Sequence, residues 1–247
     1  MEPKSISVVV PVYNEEQNAA AAVRSLDAVL SRGFKDFEIV IVESGSTDGT
    51  AAIADELARS NERIRVLHQN RREGLGSAIR LGFASALKDY VLYVDGDEPF
   101  DVADIATRVL PLLGDFRAVI GYRIGKRESF RRKLYSWTYN RLVQLLFRLD
   151  VRDVNFSMKV IERKLLQSLE LTSNGCFYDA ELIAELRRRG IEIKQIGFEY
   201  VPRGRGRSSL DRPSVILGIL REMLSYLLRR GSGSRRIDAV PPGPSAS

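Results

Sequence analysis

The stretch ISVVVPVYNEE, residues 6–16, is apolar at six of its first seven positions, Ser7 excepted, and then turns polar without a break. A strand with one wet face alternates apolar and polar side chains, whereas an unbroken apolar run needs cover on both faces, as in a parallel sheet flanked by helices. Four further segments repeat the pattern: FEIVIVES (37–44), IRVLHQ (64–69), YVLYVDGD (90–97) and AVIGYR (118–123). Amphipathic helical patterns lie among them at residues 15–31, at Thr50–Arg59 and in GLGSAIRLGFASAL (74–87). This alternation predicts an α/β fold, a mostly parallel sheet with helices packed on it.

Each polar motif follows a strand: YNEE (13–16), ESGSTDGT (43–50) and DGDEPFD (95–101). Ligands of such sheets bind where the loops at the carboxyl ends of the strands converge. Asp and Gly are also ordinary turn residues, so Asp95 and Asp97 taken alone read either as a turn or as a divalent-metal site. Three carboxylate-bearing loops at one sheet edge favour the site. Asp95 and Asp97 suit a divalent cation that neutralises a diphosphate, Tyr13 a base or sugar face, and Glu15 and Glu43 the donors of a base edge or ribose.

Past residue 125 the pattern changes to longer helices, SFRRKLYSWTYNRLVQLLFRL (129–149), a segment at 162–169 and YDAELIAELRRRG (178–190). A late strand EIKQIGFEYV (192–201) leads into PRGRGRSSL, and an amphipathic helix is predicted over 213–230. The Gly, Ser and Pro content of residues 231–247 predicts a disordered tail.

The 247 residues, 44% hydrophobic and 28% charged, suit a globular chain with a large core. One cysteine, Cys176, and one histidine, His68, exclude an internal disulfide framework and a soft zinc ligand set. Both are read as structural or incidental. A metal would be held by oxygen, which favours Mg2+ or Mn2+. The net charge of +6 gathers in the second half and suggests an anionic partner. No run of about 18 apolar residues occurs, and the first residues lack a cleavable signal pattern, so the expected location is cytoplasmic.

The pieces VVVPVYNEE, IVESGSTDGT, NRREGLGSAIRLGF, YVDGDEPF, DVNFSMKVIERKLL and FYDAELIAELRRRGIEIKQIGFEYVPRGRGRSSL occur in this order over residues 5–210. In them the chain resembles the family 2 glycosyltransferases of GT-A fold, particularly the polyprenyl-phosphate (dolichol-phosphate) mannose or glucose synthases. The resemblance implies a GT-A catalytic domain over 1–212, with a nucleotide-sugar half (1–125) and an acceptor half (126–212). It implies Pro11, Tyr13, Glu15, Glu43, Ser44, Asp95, Gly96 and Asp97 around the donor, GDP-mannose or UDP-glucose. Asp95 and Asp97 then hold the metal, with Glu98 a candidate third ligand where the related synthases often carry glutamine. Arg123 is implied near the donor diphosphate and the acceptor phosphate. Arg131, Ser136, Arg203, Arg205 and Arg207 are candidates to hold that phosphate. One departure bears on base recognition: Glu43-Ser44 stands where two aspartates are usual.

A lipid phosphate is already anionic and needs orientation and screening, which the arginine-rich second half fits, so the expected reaction is direct displacement with inversion. A hydroxyl acceptor would need a base, for which Asp179 or Glu181 are candidates. A third reading, a basic nucleic-acid or acidic-lipid binding module, leaves the carboxylate loops without a purpose, and no nucleic-acid partner is expected. GLGSAIRLGF does not meet the dinucleotide fingerprint, because Ile79 stands at the third glycine position. The final helix is read two ways. It docks on the protein's own core or on a second copy, or it lies on a membrane surface with its apolar side down.

Overall fold

The computed structural model describes residues 4–95, 100–125, 130–199 and 213–233, with the side chains at 130–136, 213, 214, 216 and 231–233 outside that set. Seven strands form one sheet: β1 (Ile6–Val12), β2 (Phe37–Glu43), β3 (Ile64–His68), β4 (Tyr90–Tyr93), β5 (Ala118–Ile124), β6 (Lys159–Glu162) and β7 (Ile193–Glu199). Their order is β3-β2-β1-β4-β6-β5-β7. β1 pairs parallel with β2 and β4, β2 with β3, and β5 with β7. The short β6, absent from the sequence reading, runs antiparallel to both β4 and β5. Two antiparallel steps restore direction, so β5 and β7 run the same way as β1 to β4 and all six end at one edge.

The unbroken apolar runs are explained by cover on both faces. Along β1 and β2, Ile6, Val8, Val10, Ile39 and Ile41 enter one core. The alternate residues Val9, Val40 and Val42 enter the opposite one. The first core is covered by α1 (Ala19–Gly33), which contributes Val23, Leu26 and Leu30, and by α2 (Thr50–Ser60), which contributes Leu57. The second is covered by α3 (Leu75–Ser85), the short α5 (Arg163–Gln167) and α6 (Tyr178–Arg188). Helix α1 begins at Ala19 instead of residue 15, because the backbone at Asn14 and Glu15 is bonded to the loop after β2.

A third core forms where α4 (Phe130–Phe147) and α7 (Pro213–Gly233) meet α6, with Phe147, Phe177 and Tyr226 in mutual edge and tilted contacts. α4 ends at Phe147, where Arg148 takes a left-handed conformation of φ 51°. α7 docks on the protein's own body, as one of its two readings held: Met223 and Tyr226 are buried, each contributing roughly 1.5–3 kcal/mol. The Tyr226 hydroxyl donates to Glu185 at 2.7 Å, and Glu222 accepts the backbone N–H groups of Asn174 and Gly175 at 2.9 and 2.7 Å. The other side of α7 leaves Leu217, Leu220, Leu224 and Leu228 exposed, as α4 leaves Trp137 and Leu145. The helix runs through Gly233, three residues into the segment read as disordered; glycines are accommodated in a terminal turn, where few further hydrogen bonds depend on them. Residues 234–247 lie outside the described set. Among the described residues, no helix is long and apolar enough to cross a membrane.

Candidate functional site

At the shared strand edge the loops after β1 and β2 form one hydrogen-bonded unit. Asn14 takes a left-handed conformation, φ 53°, which asparagine tolerates better than most residues. Its backbone N–H donates to the Ser46 hydroxyl at 3.0 Å, and its side-chain oxygen accepts the N–H of Thr47 at 2.9 Å. Glu15 donates its N–H to the Thr50 hydroxyl at 2.8 Å, and its carboxylate accepts from Asn18 at 2.7 Å. Gly45, at φ 67°, allows close approach to Arg71, whose Cα would stand 2.8 Å from a Cβ at that position. The adjoining Arg72 places its guanidinium 4.2 Å from the centre of the half-buried Tyr13 ring, a cation–π geometry. Pro11 is buried within β1, opposite Val42, and Ser44 is buried and donates its N–H to Val12 at 3.0 Å.

Glu43 ends β2 with 3% exposure. Its carboxylate accepts the N–H of Ser46 at 2.5 Å and faces Nδ1 of His68 at 3.2 Å. Burial pushes this carboxyl up, but the bonds from Ser46 and His68 together outweigh it and hold the group below the ordinary glutamate value. Nε2 of His68 lies 2.9 Å from Asp55 on α2. That hydrogen bond first, then the one to Glu43, raises the imidazole above its ordinary value despite partial burial.

Asp95 follows β4, half-buried, and its Oδ1 accepts the Tyr93 hydroxyl at 2.7 Å. Burial, then the Asp95 charge, pushes the Tyr93 phenol far above its ordinary value, so it stays a donor. Beneath Tyr93 lies Lys159 of β6, 1% exposed, with Nζ 5.8 Å from the ring centre. Nζ donates to the Phe156 carbonyl at 2.5 Å and pairs with Asp179 at 2.7 Å. Arg123, near the end of β5, grips Asp153 in a two-pronged pair of 2.7 and 2.9 Å.

The sequence reading left Asp179 and Glu181 as alternative bases, and the structure gives both other partners. Asp179 lies within α6, buried against Lys159; burial raises its carboxyl while Lys159 opposes the shift. Glu181 accepts the N–H groups of Thr172 and Ser173 and the Thr172 hydroxyl, at 2.8–3.1 Å. The same loop is fixed from α3, where Arg80 donates to the Ser173 carbonyl and to Asn174. Gly74, at φ 106°, sits against the Asn174 carbonyl, where a Cβ would collide. Cys176 is mostly buried and its thiol is pushed up to about 11, mainly by burial, which suits a structural part.

The described residues thus bring Pro11, Tyr13, Glu15, Glu43, Ser44, Asp95 and Arg123 to one edge of the sheet. Gly96, Asp97, Glu98, Arg203, Arg205 and Arg207 lie outside the described residues, as do the side chains of Arg131 and Ser136 within α4. Sequence reasoning did not assign His68, Arg72, Tyr93, Asp153 or Lys159 to this edge. His68 reaches this edge through strand register, as the partner of Glu43 on the adjacent strand.

Residues 7–170 match the family model described as "Glycosyl transferase family 2". Among curated proteins, the glycosyltransferase AglD of Haloferax volcanii is 31% identical over 225 residues, 86% of this chain and 36% of its own length. An undecaprenyl-phosphate 4-deoxy-4-formamido-L-arabinose transferase of Pectobacterium carotovorum is 29% identical over 191 residues, 77% of this chain and 58% of its own length. The chain therefore spans only part of each of these relatives. Among solved structures, glucosyl-3-phosphoglycerate synthase of Mycobacterium tuberculosis, in complex with Mn2+ and UDP-glucose, shares the fold at a TM-score of 0.69 and 24% identity, over 92% of this chain and 79% of its own. A strand edge carrying the loops after β1 and β2 together with Asp95, on a sheet of GT-A architecture and within a match that covers residues 7–170, fixes the classification: the chain belongs to glycosyl transferase family 2.

Proposed function

We propose that the protein moves a hexose, mannose or glucose, from a nucleotide-diphosphate sugar to a polyprenyl phosphate, with inversion at the anomeric carbon. The observation that carries this reading is the engagement of Asp179 with Lys159 and of Glu181 with the 172–173 loop. A hydroxyl acceptor needs a base to take its proton, and both candidate carboxylates are held in structural contacts. A phosphate acceptor is already a nucleophile and needs only placement and charge screening. The name of the undecaprenyl-phosphate relative agrees with such an acceptor, and the UDP-glucose complex of the solved neighbour agrees with the donor class.

In this reading Tyr13, Glu15, Glu43 and Ser44 hold the nucleoside end of GDP-mannose or UDP-glucose. Arg123, oriented by Asp153, faces the donor diphosphate and the incoming phosphate, which Arg131, Ser136, Arg203, Arg205 and Arg207 help to hold. The oxygen donors of the Asp95–Asp97 motif suit Mg2+ or Mn2+, with Glu98 a candidate third ligand. Once bound, the cation supplies charge neutralisation to the diphosphate. Tyr93 fixes the carboxylate of Asp95 for that purpose. The catalytic unit is assigned to residues 1–212.

The exposed leucines of α7, beside Arg221, Arg229 and Arg230, suit a peripheral seat on the cytoplasmic face of an anionic membrane, where the acceptor lipid resides. A second copy of the chain is the other occupant this face would accept.

The test is incubation with radiolabelled GDP-mannose or UDP-glucose, Mg2+ or Mn2+ and polyprenyl phosphate, followed by organic extraction. Label in the lipid phase supports the reading; transfer only to a water-soluble acceptor sinks it. Replacing Leu217, Leu224 and Leu228 by Ser is expected to abolish flotation with anionic vesicles while leaving the melting temperature unchanged. Unchanged flotation removes the membrane part alone.

A further inference from the structure

His68 stands between two carboxylates from different elements, Glu43 at the end of β2 and Asp55 on α2. A neutral imidazole carries one N–H, so only one of its two close carboxylates would receive a proton while the other faced a lone pair. The arrangement is matched by the imidazolium, which donates from both nitrogens. Among the described residues, the charged groups that face the ring are these two, one from β2 and one from α2.

Glu43 is almost wholly buried, and its other oxygen is taken by the Ser46 N–H, so the His68 bond sets the remaining freedom of the carboxylate. We propose that His68 is a positioning residue for the donor site: its doubly protonated ring clamps Glu43 in the orientation that accepts a hydrogen bond from the donor's base or ribose, and its deprotonation at rising pH releases that clamp and weakens donor binding. This inference rests on the assignment of Glu43 to the donor pocket.

The direction of the effect follows from the pair of carboxylates. Both hold the ring charged past the ordinary histidine value of about 6.5. Donor affinity is therefore highest below that range and falls as pH climbs through the raised value. By reciprocity, a nucleotide that prefers the clamped site raises the His68 pKa further when it binds.

His68 is the chain's one histidine, so its two ring nitrogens give a single, unambiguous pair of NMR signals. The experiment follows these signals through a pH titration of the full chain, without and with GDP or UDP, and measures nucleotide affinity by calorimetry at about pH 6.5 and about pH 8.5. Expected are both nitrogens protonated at the lower pH, a midpoint raised further by nucleotide, and affinity roughly threefold to tenfold weaker at the higher pH. His68→Gln should bind more weakly at the lower pH and lose the pH dependence, the nucleotide's own ionisation being common to both proteins. Asp55→Asn, which leaves Glu43 untouched, should lower the midpoint and shift the affinity profile to lower pH with it. A nucleotide that binds yet leaves the midpoint unmoved, or a folded His68→Gln protein with the wild-type profile, overturns the proposal alone. Absence of nucleotide binding to the wild-type chain at both pH values overturns the donor assignment and the proposal with it.

Discussion

Replacing Lys159 by Met tests the polar layer beneath Asp95. Lys159 and Asp179 are 1% and 6% exposed and 2.7 Å apart, so solvent screens their attraction very little. Met fills most of the lysine volume, which leaves the charge as the chief loss. Removing one partner of a buried pair costs about 3–5 kcal/mol, a large fraction of the roughly 5–15 kcal/mol that stabilises a domain. The stranded carboxyl should take up a proton to limit that cost. An acid whose folded pKa is raised above its unfolded value makes stability fall as pH climbs from the unfolded toward the folded value. Asp179 already has this direction, and loss of Lys159 pushes the window upward, so Lys159→Met should be more stable in urea at about pH 5.5 than at about pH 8 by more than the wild type is. Adding Asp179→Leu should recover most of the loss and remove the extra pH slope. A single variant that loses under about 1 kcal/mol, or one whose pH slope matches the wild type, would refute the reasoning.

Two further perturbations probe neighbouring contacts. Tyr93→Phe keeps the buried ring and removes the hydroxyl that holds Asp95; losing about 1 kcal/mol of orientation predicts Mn2+ activation roughly fivefold weaker, read by a metal titration of transfer activity, with stability in urea lowered by no more than about the same 1 kcal/mol. An unaltered metal titration would count against the positioning part of Tyr93. Glu222→Ala strips two backbone donors of their charged acceptor and should cost about 2–3 kcal/mol, with hydrogen exchange at the Asn174 and Gly175 amides accelerated beyond the rest of the protein. Equal protection in the variant would show that Glu222 does not fix the 174–175 loop.

The parallel half of the sheet was legible because its strands carry local signals. Val8 and Val9 fall into opposite cores, as an unbroken apolar run requires. The edge that gathers YNEE, ESGSTDGT and Asp95 followed from direction alone. β6 was missed for a physical reason: four residues, KVIE, leave too short a pattern, and the strand exists because β4 and β5 flank it on both sides. Its lysine reads as a surface residue until the fold supplies Asp179, twenty positions away. The apolar periodicity of α7 was visible, but it ran together two faces; Met223 and Leu227 turn inward while Leu220 and Leu224 turn outward. The clamp on Glu43 was hidden because pairing between adjacent strands is set by register, which the local pattern of IRVLHQ does not encode.

The interleaving of β6 has a mechanical consequence. A chain cut in the segment after β5 would keep that strand and lose β6 and β7, both of its partners in the sheet. Covalent order and pairing order therefore differ: such a fragment would keep the paired strands β3-β2-β1-β4 and carry β5 with neither of its neighbours. Among the described residues the ladder is continuous from β3 to β7, so bending the sheet between any two neighbours would break strand pairing.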